Sequence, residues 1–260
     1  EYTLRLHSVT PAAGNGSDLA GEVQEKLGHV RVVPYWPDCP TNYTPGNTLL
    51  GDVAVGRPSE AEAGKIRGLQ AAIWGSEPDF LYPTDIHGDT AGVGTSLVAR
   101  VDGELAGFLF GFYKFDGTRL PAAWLAAHGA EVQLESQLLG VAPAFRRKGI
   151  AVLLKRVQAE HAQRAGIRVV NWTVDPLQFP NAVLNFGQLG AVAYDFHVDY
   201  YAFRNSLNRI PPSRLGITWL LDTARVRAGL AGGRPAVPEL REVAAVPVND
   251  GATVTGTAAT

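Results

Sequence analysis

From residue 49 onward, apolar positions recur at two spacings, one near 3.6 residues and one near 2, and the switches between them mark out the elements. A short apolar stretch reaches Val55. Ser59 then stands as an N-cap before a helical run to Ile73, with Ile66, Leu69, Ala72 and Ile73 on one face. Thr95 to Val101 and Glu104 to Phe112 read as strands joined by Asp102-Gly103, a strong signal for a tight hairpin. Beyond a loop rich in Gly and Pro, Val132 to Val141 reads as another strand. Gly149 to Ala165 places Ile150, Leu153, Leu154 and Val157 at helical spacing. Ile167 to Val174 is a β-branched strand. Pro180 to Leu189 follows as a helix, opened by Pro180 and closed by Gly190. Ala191 to Phe196 and Leu215 to Leu220 are the last strands.

That order predicts an α/β fold in which a mixed sheet is covered by helices. Residues 49–221 form the expected domain, between an N-terminal extension, 1–48, and a C-terminal extension, 222–260. In the first, strand-like pieces (Tyr2 to Leu6, Val30 to Tyr35) sit among Pro34, Pro37, Pro40 and Pro45, which punctuate turns and loops. The tail beyond Asp222, rich in Gly, Ala, Val and Pro, carries no clear pattern. Repeats at solenoid or propeller periods are not evident.

Composition narrows the function classes. Hydrophobic residues make up 46% of the 260, enough for a sizeable core. A formal charge of -2 leaves no electrostatic footprint for nucleic acid. No apolar run is long enough for a membrane span, and the start lacks the pattern of a signal peptide. The lone cysteine, Cys39, has no internal disulfide partner, so a reducing, cytoplasmic setting is expected. The chain holds no methionine, so Glu1 is not expected to be a translated start. Six scattered histidines offer no paired-ligand spacing and no metal is expected; no Gly-x-Ser-x-Gly elbow supports a serine hydrolase.

Chemistry concentrates between Leu138 and Ala151. A strand ends near Val141, because Pro143 has no N–H to donate to a ladder. The basic loop Arg146-Arg147-Lys148 follows, and a helix opens at Gly149. The first turn of a helix has unpartnered N–H groups and partial positive charge, and Gly149 and Ala151 leave the backbone open to a bulky anion. The segment reads either as a phosphate cradle or as a surface turn with solvated basic residues. It is neither a Walker loop nor a dinucleotide fingerprint.

The spacing Arg146-x-x-Gly149-x-Ala151 after a strand-ending valine resembles the pyrophosphate motif of the GNAT acetyltransferases. The likeness extends over roughly Ile66 to Trp219. It includes Trp74-Gly75, Gly107-Phe108, Trp172-Thr173-x-Asp175-Pro176-Leu177, Asn181-Ala182 with Asn185, and Leu189-Gly190-Ala191, and is similar to a little-characterised bacterial branch. The resemblance implies a mixed, mostly antiparallel sheet splayed between the Val132–Val141 and Ile167–Val174 strands, with flanking helices and acetyl-CoA in the cleft. Leu139 and Val141 would pair with the pantetheine arm, and a bulge near Gly140 would open the gap. Amides around Arg146, Arg147, Lys148, Gly149, Ile150 and Ala151 would seat the diphosphate, and Asn181 or Asn185 would bond the cofactor's amides. The implied activity is acyl transfer from coenzyme A to an amine, with the Val141 N–H facing the oxyanion. A non-catalytic acyl-CoA-binding protein on the same fold is the alternative.

Such transfer needs a base for the attacking amine and, for the leaving thiolate, an acid. Glu135 is the leading base candidate. On an alternating strand it would share a face with Gln133, Gln137 and Leu139; Glu131 is weaker. Where the family often carries a tyrosine acid, this chain has Phe186. Tyr194, Tyr200 and Tyr201 are substitutes from the next segment, and Tyr201 is carried forward as the acid. Asn181 and Asn185, four apart, are expected on one helix face. Tyr82, Asp85, His87 and Asp89 belong to a loop read as solvated that borders the acceptor side. The acceptor is expected to be a small-molecule or peptide amine, with neither nucleic acid nor membrane as partner; a homodimer stays open.

Overall fold

The structure, a computed structural model, describes residues 2–6, 30–34, 53–87, 94–115, 120–129, 131–176, 178–201 and 213–233. Two short N-terminal strands, β1 (Tyr2–Leu6) and β2 (Val30–Pro34), pair in parallel. Cys39 and Asp89 lie outside the described residues.

The helix expected after Ser59 is α1 (Glu60–Trp74), which follows the short strand β3 (Val53–Gly56). Ser59 and Glu62 form a reciprocal cap. The Glu62 N–H donates to Ser59 Oγ (3.3 Å), and the Ser59 N–H donates to the Glu62 carboxylate (2.7 Å). Arg100 also holds that carboxylate at 2.6 Å, pinning the helix start to the sheet and lowering the Glu62 pKa to about 2. Gly75 ends the helix with a φ of 61°, a left-handed conformation that glycine adopts without strain. Asp102 and Gly103, with φ of 50° and 82°, turn β4 (Gly94–Val101) into β5 (Glu104–Lys114) as the sequence predicts.

The loop expected next carries a short helix, α2 (Ala122–His128). Then come β6 (Gln133–Val141), α3 (Ile150–Arg164) and β7 (Val169–Val174). The helix expected over Pro180 to Leu189 is α4. It begins as α-helix (Phe179–Ala182) and continues with π-helical hydrogen bonding (Val183–Gln188). Strands β8 (Val192–His197) and β9 (Arg214–Leu220) precede α5 (Ala224–Leu230), which Thr223 caps and whose Val226 is buried in the core.

Seven strands form one sheet in the order β3-β4-β5-β6-β7-β9-β8. Every neighbouring pair is antiparallel except β6–β7, so the sheet is mixed and mostly antiparallel, with helices on both faces. On one face α3 packs Ile150, Leu153, Leu154 and Val157 against Leu97, Ala99 and Leu109. The same helix extends towards Leu134, Trp172 and Trp219, where Val226 of α5 joins the cluster. On the other, Ile66 of α1 meets Val98 and Phe108, and Trp124 and Leu125 of α2 cover Val169 and Leu220. Each such side chain taken fully from water contributes about 1.5–3 kcal/mol. The sheet therefore acts as a rigid platform that leaves its one parallel joint exposed to distortion.

Candidate active site

That joint is barely zipped. Only Leu134↔Val170 and Glu135↔Asn171 pair between β6 and β7, and from Ser136 and Trp172 onward the strands diverge. Antiparallel neighbours hold β6 and β7 on their other edges, so the sheet opens into a wedge at this joint.

A register shift on β6 accompanies the opening. Phe110 faces Leu138 and Phe112 faces Glu135, so Ser136 and Gln137 together stand opposite Gly111. The bulge therefore lies at Ser136–Gln137, not near Gly140, where pairing with Phe108 is regular. Glycine at 140 has another cause: a Cβ there would lie 2.5 Å from the Phe108 ring and 2.9 Å from Ile73. The extra residue also changes which side chains share a face. Glu135 lies with Lys114 on the α1 face, whereas Leu139 packs towards α3 with Leu153 and Leu154. Strict alternation had grouped Glu135 with Leu139; the bulge separates them.

Beyond the bulge, Ala142 N–H donates to Ala106 O at 2.9 Å. Hydrogen-bonded positions alternate along an antiparallel ladder. The peptide groups of Gly140 and Leu138 therefore face β5, and those of Leu139 and Val141 face the wedge. The Val141 carbonyl accepts from Arg146 Nε at 3.2 Å.

The basic loop follows β6 at the wedge mouth. Pro143–Phe145 make one 3-10 turn, Arg146 is extended, and Arg147 and Gly149 take φ of 61° and 84°. No side chain caps α3. Its first intrahelical donor beyond the loop is Leu153 N–H, to Gly149 O at 3.0 Å. The N–H groups of Arg147, Lys148, Gly149, Ile150 and Ala151 find no acceptor among the described residues. They lie at the positive end of the 15-residue helix, flanked by the exposed side chains of Arg147 and Lys148. Lys148 Nζ lies 5.6 Å from the Phe145 ring. The buried side chain of Ile150 anchors the turn in the core.

Across the wedge, α4 presents Asn185, which is buried and whose side-chain amide has no hydrogen bond among the described residues. Asn181 is exposed instead. The pair expected on one face thus differs in environment, because the backbone passes from α to π geometry between them. Phe186 is half-buried against the core, and its carbonyl accepts from Arg225 at 3.1 Å.

On the α1 face, polar groups line up beside the joint. Glu135 pairs with Lys114 at 3.2 Å. Asn171 donates to Gln133 and accepts from Thr218 at 3.1 Å. Tyr201 is half-buried, its hydroxyl 3.3 Å from Thr173 Oγ1 on β7 and its ring 5.1 Å from the Arg214 guanidinium. Tyr200 is exposed and stacks edge-on against Tyr201; the Tyr194 side chain lies outside the described residues. Glu131 is exposed before the strand begins.

Within 81–87, Asp85 is exposed as expected of a solvated loop, but Tyr82 and His87 are drawn inward. Arg67 donates to the carbonyls of Pro78, Leu81 and Tyr82. The Tyr82 ring packs on Phe110 and Phe112, at 6.0 and 5.8 Å between centroids. Burial raises the Tyr82 pKa; a hydrogen bond with Gln137 opposes that shift and Tyr201 adds to it. His87 is 2% exposed, with Nδ1 2.8 Å from Ser96 Oγ, and burial pushes its pKa down to about 4. Two aromatic neighbours, Phe110 and Phe112, fold the segment inward, a tertiary effect with no local sequence signal.

One residue missed in the sequence sits at the wedge's closed end. Lys155 of α3 is 2% exposed. Its Nζ donates to Ser136 Oγ (2.7 Å) and Gln158 Oε1 (3.3 Å) and lies 3.6 Å from the centroid of the Trp172 ring. Burial holds its pKa well below the ordinary lysine range, against a lesser opposite pull from Glu135. The available signal was a lysine on the apolar stripe, one position after Leu154. Among the described residues, no cluster of three or more His, Cys, Asp or Glu could hold a metal, and no helix is long and apolar enough to cross a membrane.

Residues 65–184 match the acetyltransferase (GNAT) family. Among solved structures of similar fold, Arabidopsis thaliana NAA60 in complex with acetyl-CoA is 16% identical with a TM-score of 0.53, over 66% of this chain and 99% of that one. The ribosomal-protein-S18-alanine N-acetyltransferase from Escherichia coli is 10% identical with a TM-score of 0.50, over 66% and 96%. A GNAT-family acetyltransferase from Streptococcus pneumoniae is 13% identical with a TM-score of 0.50, over 64% and 97%. At these identities the likeness is one of fold. No curated protein matches the chain.

Proposed function

Since residues 65–184 form a domain of the GNAT acetyltransferase family, we propose that the chain is an N-acyltransferase that moves an acetyl or other short acyl group from coenzyme A to an amine. The observation that carries this reading is the row of unpartnered N–H groups from Arg147 to Ala151 at the mouth of an open strand joint. A diphosphate fits such a row, since it offers acceptors to N–H groups that otherwise face solvent and negative charge to a positive helix end.

Arg147 and Lys148 add formal charge to that site. Leu139 and Val141 offer wedge-facing peptide groups to an extended amide chain, as a missing strand would. Asn185, buried on α4, supplies a further hydrogen bond. Bound there, an acyl-CoA supplies an activated thioester carbonyl. Glu135, on the α1 face with Lys114, takes the proton that the acceptor amine must shed. Tyr201 stands by on the same face through Thr173 as the proton donor, in place of the tyrosine that Phe186 replaces. The acceptor, a small amine or peptide end, enters from the α1 face beside Tyr82.

Titration calorimetry with acetyl-CoA and its longer homologues tests the reading, followed by thiol release across a broad amine panel. Saturable binding with turnover is expected. No saturable binding refutes the proposal. Binding without turnover on any amine would favour a non-catalytic acyl-CoA-binding protein, a role to which Phe186 is suited because it carries no proton.

A further inference from the structure

We infer that Lys155 is an internal acyl acceptor, a lysine that the chain acylates on itself at the closed end of the β6/β7 wedge. The inference rests on the acyl-CoA reading above and adds a covalent modification site to it.

The position of the amine is the first ground. The last paired residues of the joint are Glu135 and Asn171, and the next residues on the two strands are Ser136 and Trp172. Lys155 Nζ touches both, at 2.7 Å from Ser136 Oγ and 3.6 Å from the Trp172 ring centroid. It therefore bridges the strands where they part. A chain seated by its diphosphate at Arg147 to Ala151 and running along Val141 and Leu139 descends towards Ser136. Val141 stands opposite Gly107 and the Ser136–Gln137 bulge opposite Gly111, four residue steps along β5, roughly 13 Å at about 3.3 Å per residue. The acyl end of such a ligand arrives beside the lysine.

The state of the amine is the second. No carboxylate is within hydrogen-bonding distance of Nζ among the described residues; its acceptors are Ser136 Oγ and Gln158 Oε1. Both acceptors are uncharged, so no counter-ion contact holds the proton on the amine. Trp172 and Trp219, at 3.6 and 6.0 Å, complete the surroundings. Burial disfavours the ammonium form, and Glu135 is the charged group that acts against it. A neutral, desolvated amine is a nucleophile that needs no base to start.

The step balances without a further reactant. The Nζ lone pair attacks the thioester carbonyl carbon, the C–N bond forms and the C–S bond breaks. Coenzyme A leaves as the thiolate and takes the proton that the nitrogen releases. The products are an amide at Lys155 and the free thiol. The acylated side chain then fills the closed end of the wedge, so modification is expected to lower acetyl-CoA affinity.

The test uses the full chain with isotope-labelled acetyl-CoA, followed by peptide mapping, alongside calorimetry of acetyl-CoA binding. A lysine-labelled sample gives an independent readout of the Lys155 amine by NMR titration without any ligand. Burial lowers the Lys155 pKa, so label at Lys155 should exceed that at the exposed Lys65 or Lys148 by about tenfold or more. Lys155→Met and Lys155→Arg should remove this labelled peptide, and Lys155 should titrate below the other lysines. Saturable binding with no label at Lys155, or label spread evenly over the exposed lysines, overturns the inference and leaves the acyl-CoA reading standing. Absence of binding overturns both.

Discussion

Replacing Lys155 by Met isolates what a buried amine costs this fold. Met has similar length and no charge, and Ser136 Oγ remains bonded to Gln158 Oε1 at 2.9 Å, so no orphaned partner is created. The variant loses two hydrogen bonds, each about 0.5–1.5 kcal/mol net. It also loses the requirement to strip a proton from an amine that the unfolded chain keeps charged. Lys155 has its pKa lowered by burial, so between the lowered value and 10.5 the unfolded state binds one proton more than the folded state. Stability in that window rises with pH, at about 1.4 kcal/mol per unit for one such group. Ionisations common to both chains cancel in the difference. Urea unfolding of wild type and Lys155→Met between pH 8.5 and 9.5 should thus show wild type gaining about 1.4 kcal/mol on the variant. Parallel stability curves over that interval would mean that Lys155 stays protonated in the fold, and the argument for a neutral amine would fail with it.

Three further outcomes follow from other parts of the structure. Gly140→Ala drives a Cβ into Phe108 and Ile73, so a loss of about 1–3 kcal/mol is expected in chemical denaturation. His87, with a pKa lowered by burial, contributes stability that is complete above about 6.5 and lost as pH falls towards about 4. Its imidazole signals should stay unshifted down to pH 5 in NMR titration, and His87→Leu should flatten that part of the stability profile. Reversing the charges with Arg147→Glu and Lys148→Glu should weaken acetyl-CoA binding by at least about tenfold at low salt, with a shallower salt dependence, while the melting temperature moves little. Unchanged affinity in that double variant would remove the diphosphate from the mouth of the wedge.

The elements and the loop were legible along the chain because their causes are local. Ser59 with Glu62, Asp102-Gly103 and the stripe Ile150, Leu153, Leu154 and Val157 each fix a conformation through neighbours within a few residues. The spacing of Arg146, Gly149 and Ala151 likewise marks a helix opening at a strand end, and residues 65–184 carry the family match. Two helices escaped notice for the opposite reason. Neither α2 nor α5 is longer than seven residues, and each is held by contacts with β7, β9 or the core that a short window cannot register.

What the tertiary structure alone decided is which side chains share a space. A single extra residue at Ser136–Gln137 separates Glu135 from Leu139, and alternation, which assumes an unbroken pleat, cannot anticipate it. His87 and Tyr82 are drawn inward by Phe110, which lies far from them in sequence. The placing of Lys155 between Ser136 and Trp172 depends on two strands and a helix meeting where one parallel joint gives way. Sequence spacing specifies the ladder each strand can form; only the competition among neighbouring ladders settles where the sheet opens, and with it the environment of that amine.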